Sequence, residues 1–342
     1  VDLLMLYLPA VFAGWGITWG MLRLAPRFGA VVLPNPRSSH SCPTPTLGGL
    51  GLIAGMWVGL GVAAISGVIV LVVWKVLACT LILLLFCADG FRPMRPLEKL
   101  AIQVIAGLLL VFSGAVLTRI SLPPILNLEL GSFAIPFTLL WYVALQNLYD
   151  FMDGIDGLAG LEGVLVALCF AGIALEWAPD LAWVAMALAG GITGFLFLNR
   201  PPGRIFMGDV GGQYLGLLFA LLAVLGEEAG IPFGLMLLFL GAFLFDSVYT
   251  LVRRLIRGEN ISRAHRFHLY QRLVRMGWSH ASVDVTYGSV TLILSLSGYL
   301  LIENHLAPAA TVFCSAAGLM VGGTVWLESR WQKRIFEDES GE

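Results

Sequence analysis

Eleven apolar stretches, each 15 to 22 residues long, take up most of this chain. They are Val1–Leu22, Leu47–Ile65, Val68–Phe86, Leu100–Leu117, Phe133–Leu148, Leu158–Leu175, Leu181–Leu198, Gly211–Leu225, Pro232–Val252, Val283–Ile302 and Pro308–Leu327. About 20 apolar residues in a helix cross a bilayer core, and lipid forces every backbone N–H and C=O to pair within its own segment. Such stretches therefore predict transmembrane α-helices. The fold class expected is all-α, a polytopic helix bundle of ten or eleven spans, since some stretches are short. Charged residues make up 12% of the chain, half the share of a soluble domain, and the mean hydropathy is +0.87. No repeat, low-complexity tract or separate soluble stretch interrupts the pattern, so residues 1–342 read as one integral membrane domain. Val1–Leu22 reads as the first span because no basic segment precedes it. The five cysteines form no CxxC pair and read as free thiols.

The loops assign sidedness. Alternate loops hold Arg23, Arg27 and Arg37; Arg92, Arg95 and Lys99; Arg200 and Arg204; and seven arginines between Arg253 and Arg275. With Arg330, Lys333 and Arg334 in the tail, these make up eighteen of the 20 basic residues. The opposite loops keep Arg119 among acids. The positive-inside rule then puts the N-terminus outside and the C-terminus in the cytoplasm.

Against this background the segment Asn147–Gly160, NLYDFMDGIDGLAG, is anomalous. Asp150, Asp153 and Asp156 recur every third residue at the cytoplasmic lip of a span. A carboxylate in a membrane helix costs on the order of 2.5–3.5 kcal/mol at the helix centre, and such residues are functional by default. A divalent cation is the commonest reason for three together, and Mg²⁺ is usually held by one or two carboxylates plus substrate phosphates. The bland alternative is a solvated loop. Four further unusual stretches share that side: Pro34–Gly49 with Arg37 and His40; the loop opening at Asp89; Asn199–Gly212 with Asp209 between glycines; and Arg263–Leu273 with Arg263, His265, Arg266 and His268. Singly, Asp89 reads as a helix cap, Asp209 as a turn residue, and the histidines as solvated. Together, carboxylates for a metal and Arg/His donors for phosphate oxygens point to a cytoplasmic substrate bearing a diphosphate.

NLYDFMDGIDGLAG, FMGDVGG, PNPRSSHSCPTPT and AHRFHLYQRL resemble, in order, the motifs of the polyprenyl-phosphate N-acetylhexosamine-1-phosphate transferases, with the last closest to the O-antigen-initiating branch. The resemblance runs from the first loop to the ninth. It implies ten or eleven helices around a cytoplasmic cleft in the bacterial inner membrane, a Mg²⁺ cofactor, and transfer of an amino-sugar 1-phosphate from a UDP-N-acetylamino sugar to undecaprenyl phosphate, releasing UMP. By that resemblance Asp153, Asp156 and Asp209 surround Mg²⁺ and the diphosphate, with Asp209 and Asp156 as ligands. Asp89 acts on the lipid phosphate. Asn147, Asp150, Arg263, His265, Arg266, His268, Arg37 and His40 bind substrate. Membrane lipid is the expected surrounding partner, a homodimer is among the expected assemblies, and nucleic acid is not a partner.

The chain departs from the family pattern at four positions. Gly90 stands for a second aspartate, Asp150 for an asparagine, Gly212 for a serine and Thr46 for an arginine. Asp150 is expected to stand in for the carboxylate missing at 90. A catalytically impaired relative that only binds substrate is one alternative. A secondary transporter is another, although its site belongs near the midplane of broken helices with internal repeats.

Overall fold

The computed structural model describes residues 3–34, 42–67, 72–259 and 267–340, with the side chains of 332–340 set aside. Among the described residues there are thirteen α-helices, all but α11 falling on the apolar stretches: α1 (Leu4–Leu24), α2 (Gly49–Ile65), α3 (Val73–Leu83), α4 (Pro96–Phe112), α5 (Ala134–Asp150), α6 (Leu158–Trp177), α7 (Pro179–Asn199), α8 (Asp209–Glu228), α9 (Phe233–Phe239), α10 (Gly241–Ile256), α11 (Leu269–Arg275), α12 (His280–Ile302) and α13 (Leu306–Ser340). The protein is an all-α, multi-pass membrane bundle. Among the described residues seven helices are long and apolar enough to cross a membrane, and an eighth span results if α9 and α10 count as one. Helices α2, α4 and α5 have 17 residues each.

The expected span Pro232–Val252 is not one continuous helix. It is two helices, α9 and α10, bent by 80°. The break falls at Leu240–Gly241, where a Cβ on Gly241 would lie 2.5 Å from Leu294 Cδ1. Two short antiparallel hairpins, not expected from the apolar pattern, sit at opposite ends of the bundle. One pairs β1 (Val31–Val32) with β2 (Thr44–Pro45); the other pairs β3 (Arg119–Leu122) with β4 (Leu126–Glu129).

Helix α8 is the axis, with 94% of its most apolar window buried. Lipid offers no hydrophobic drive for helix pairing, so membrane helices associate through close packing of small residues and through interhelical polar bonds. Both are present. A Cβ on Gly191 of α7 would lie 2.2 Å from Leu52 O of α2, so only glycine allows that approach. Thr80 of α3 bonds Trp57 Nε1 of α2 at 3.0 Å and Tyr214 Oη of α8 at 2.8 Å. At the end bearing β3 and β4, buried Glu227 accepts from Arg119 Nε (2.9 Å), Ser121 Oγ (2.5 Å) and Phe233 N (2.6 Å), stapling the hairpin to α8 and α9.

Candidate active site

At the other end, two helix termini set the site. Helix α5 ends at Asp150, and the chain turns through 151–157 before α6 begins. Gly157 takes φ +89°, a region that favours glycine, and its N–H is held by Asn199 Oδ1 at 3.0 Å. Helix α8 begins at Asp209 after Gly208 at φ +70°. An aspartate in a first helical turn meets the positive end of the helix dipole. Because α5 and α8 pack side by side, the end of one and the start of the other bring Asp150 and Asp209 together.

Asp89, Asp150, Asp153 and Asp209 line one cavity of about 520 Å³. Lys99, from the first turn of α4, reaches across its edge. Its ammonium pairs with Asp89 Oδ1 at 3.1 Å and with Asp209 Oδ2. Asp89 also accepts the Met94 N–H at 2.7 Å. Burial, then the neighbouring Asp209 and Asp156 carboxylates, push Asp153 up to about 7. Apolar groups line the same cavity, among them Val31, Leu33, Leu47 and Phe206, so it mixes charged and apolar surface.

The expected site residues divide into five groups. Asp89, Asp150, Asp153 and Asp209 converge. Asp156, expected as a metal ligand opposite Asp209, does not line the cavity. Its Oδ2 accepts the Gly203 N–H at 3.0 Å and faces His280 Nδ1 at 3.2 Å, because the turn toward Gly157 carries it to the α7 and α12 side. Asn147, expected to bind substrate, lies behind the cavity. It exchanges amide hydrogen bonds with Gln103 (2.9 and 3.0 Å), which donates in turn to Gln213 Oε1 at 2.8 Å; Gln213 supports Asp150. Arg37, His40, Arg263, His265 and Arg266 lie outside the described residues.

His268 is described and is not solvated, being 4% exposed. It precedes α11, between the rings of Phe151 and Tyr270. Tyr270 Oη donates to Phe151 O at 3.0 Å, docking α11 on the acidic segment. Beneath it lies Asp246 of α10, fully buried.

Two residues of this site were passed over in the sequence. Lys99 reads there only as a topology signal. Asp246 is the one carboxylate inside the Pro232–Val252 stretch, and an acid in an apolar span was the signal that marks it.

The donor set suits Mg²⁺. Three carboxylates in excess of one ammonium crowd a cavity with room for a ligand. Among the described residues no group of three Asp, Glu, His or Cys side chains is placed to hold a metal ion, so an ion here would need water and substrate phosphates for the rest of its shell.

A helical membrane bundle with such a carboxylate-lined, lysine-edged cavity has the make-up of a transferase that handles phosphate groups. A sequence profile described as glycosyl transferase family 4 matches residues 53–227, and the chain belongs to that family. It is 30% identical over 284 residues to a probable undecaprenyl-phosphate N-acetylglucosaminyl 1-phosphate transferase of Bacillus subtilis, covering 82% of this chain and 79% of the relative. A phospho-N-acetylmuramoyl-pentapeptide-transferase of Synechococcus is 30% identical over 337 residues, covering 87% and 89%. A decaprenyl-phosphate N-acetylglucosaminephosphotransferase of Mycobacterium tuberculosis is 27% identical over 318 residues, covering 82% and 78%.

Proposed function

We propose that this protein transfers an N-acetylamino-sugar 1-phosphate from a UDP-sugar to undecaprenyl phosphate, releasing UMP and starting a lipid-linked cell-envelope glycan such as O-antigen. The observation that carries the proposal is the convergence of Asp89, Asp150, Asp153 and Asp209, from separate segments, on one cavity edged by Lys99. The Bacillus subtilis and Mycobacterium tuberculosis relatives support the choice of lipid and sugar class.

In the reaction an oxygen of the lipid phosphate bonds to the β-phosphorus, and the bond from that phosphorus to the bridging oxygen breaks, leaving UMP. Phosphoryl transfer is mainly positioning and neutralisation of charge. Asp209 and Asp153, with Asp150 beside them, would hold Mg²⁺, which when bound neutralises the diphosphate and the departing UMP. Lys99 is set to donate to a phosphate oxygen in exchange for its carboxylate partners. Asp89, braced by Met94 N–H, orients the lipid phosphate, which needs no general base because it is already an anion at neutral pH. The apolar surface of the cavity suits the first units of a prenyl chain entering from the bilayer. His268 and the arginines around it serve the nucleotide end.

The test uses purified protein, undecaprenyl phosphate and a panel of UDP-N-acetylamino sugars including GlcNAc, FucNAc and QuiNAc. A lipid-linked sugar phosphate formed in step with UMP, with Mg²⁺ and not with EDTA, is the expected result. Substrate binding without turnover across the panel favours the impaired-relative reading.

A further inference from the structure

We propose that Gln213 is a positioning residue for Asp150, and that Gln103 and Asn147 fix which end of its amide the carboxylate meets. Gln213 donates to Asp150 and so leaves an acceptor turned to the cavity, where a divalent cation would bind. The inference rests on the transferase reading for the cation, and not for the order of the hydrogen bonds.

The order follows from one backbone carbonyl. Val143 O can only accept, and Asn147 of α5 meets it at 2.8 Å, so the Asn147 group there is its NH2. A second hydrogen of that NH2 goes to Gln103 Oε1 of α4 at 2.9 Å. Gln103 must then meet Asn147 Oδ1 with its own NH2, at 3.0 Å, and it gives its other hydrogen to Gln213 Oε1 of α8 at 2.8 Å. A carboxamide has one acceptor oxygen and an NH2 with two donors. With its oxygen engaged, Gln213 hydrogen-bonds the Asp150 carboxylate through its NH2. The chain of bonds therefore runs in one direction across three helices, and flipping any one amide would set oxygen against oxygen. Gln103 and Gln213 are each 1% exposed, so neither can turn to water instead.

Asp150 lines the cavity, with Asp209, Lys99 and Asp153 as its charged neighbours. A carboxylate accepts at both oxygens, so Asp150 takes the Gln213 hydrogen and still presents an acceptor to the cavity. An asparagine there, the residue of the family pattern, has one oxygen. The direction of the chain would bind that oxygen to Gln213 and turn the NH2 toward the cavity, a donor where a cation belongs. The relay thus makes the residue at 150 decide whether the cavity meets an acceptor or a donor.

The experiment measures Mn²⁺ binding to the purified, substrate-free protein by electron paramagnetic resonance, with Mg²⁺ as competitor. It compares the parent, Gln213→Met, Asp150→Asn and the double variant, each checked for monodispersity in detergent. Methionine keeps the length of glutamine and removes the donor. Expected are Mn²⁺ binding by the parent that Mg²⁺ displaces, and a Kd raised about 10- to 100-fold in Gln213→Met, the range for removing a group that orients a metal ligand. The Mg²⁺ needed for half-maximal UMP release should rise with it, while kcat at saturating Mg²⁺ stays within about 3-fold of the parent. In the Asp150→Asn background the Gln213→Met change should weaken Mn²⁺ no further, since an asparagine released from Gln213 can turn its oxygen to the cation. An equal loss in both backgrounds would overturn the proposal, as the mark of a residue that only packs. So would an unchanged Mn²⁺ affinity in Gln213→Met, or a parent that binds no Mn²⁺. If Gln213→Met does not fold, Gln103→Met decides, because it frees Gln213 to turn without touching Asp150. It should weaken Mn²⁺ about 3- to 10-fold, and an unchanged affinity there would overturn the relay. If the parent binds Mn²⁺ and releases no UMP from any sugar, the transferase reading fails while the relay stands on its own.

Discussion

Asp150 and Gly212 belong to one adjustment. A Cβ on Gly212 would sit 2.5 Å from Asp150 Oδ1, so glycine at 212 makes the space that the Asp150 carboxylate uses. A Cβ on Gly90 would meet Leu47 Cδ2 at 2.7 Å, and Leu47 itself holds φ +73°. Restoring a carboxylate at 90 therefore requires Leu47 to withdraw, and Gly90→Asp alone is not expected to rescue a loss at 150. Gly212→Ser should displace Asp150 and slow UMP release about 10-fold, as should Asp150→Asn. The double variant should be no slower than either single one, since contacting residues act non-additively. Additive losses would separate the two positions. Asp153 offers a different reading. Its folded pKa, about 7, lies above its unfolded value, so the folded state keeps a proton that the unfolded chain releases, and stability falls as pH rises from about 4 to 7. Asp153→Asn cannot ionise. Its melting temperature without Mg²⁺ should exceed the parent's by about 2–4 °C at pH 8, roughly 1 kcal/mol after screening of a half-buried group. The gap should close toward pH 4. A constant gap would mean that packing, not ionisation, separates them.

Helices were legible where apolarity alone defines them and illegible where geometry does. Within the described residues each of the eleven apolar stretches holds helix, because lipid leaves a span few other choices. The bend at Leu240–Gly241 was hidden because the close contact made there, with Leu294 of α12, is remote in sequence. The acidic segment was found from spacing, yet the division of its carboxylates was not. Asp153 and Asp156 are three residues apart and look alike until Gly157 turns one toward α8 and the other toward His280. The β3–β4 hairpin was missed for want of an apolar signal, and its anchor Glu227 reads in the sequence as one more outer-loop acid. Glu227→Ala strands the Arg119 guanidinium and three other donors. Arg119 is about half exposed and can turn to water, so the cost is that of the buried donors left unpaired, about 1–3 kcal/mol, which at about 2–4 °C per kcal/mol lowers the melting temperature by roughly 2 °C or more. UDP-sugar KM, set at the far end of the bundle, should not change. A shifted KM with unchanged melting would contradict the staple.

Across the whole molecule the two ends of the bundle differ in chemistry. Every carboxylate of the cavity, Lys99 and His268 lie at one end, and Arg119, Glu129 and Glu227 at the other. This division parallels the loop charge asymmetry, from which we propose that the cavity faces the cytoplasm. Cys42, exposed beside β2, should react with an impermeant maleimide only after permeabilisation, whereas Asn127→Cys on the exposed β4 should react in intact cells. The reverse pattern would invert the protein. The central claim is that the carboxylate cavity is where the sugar phosphate changes hands, and Asp209 at the head of the axial helix is its most demanding member. The direct measurement is Mg²⁺-dependent UMP release by Asp209→Asn beside the parent, both folded and supplied with undecaprenyl phosphate and the best UDP-sugar. We expect the parent to turn over and Asp209→Asn to lose at least about 100-fold in kcat, the scale for removing a group that stabilises transition-state charge. An Asp209→Asn enzyme that releases UMP at the parent's rate would contradict it.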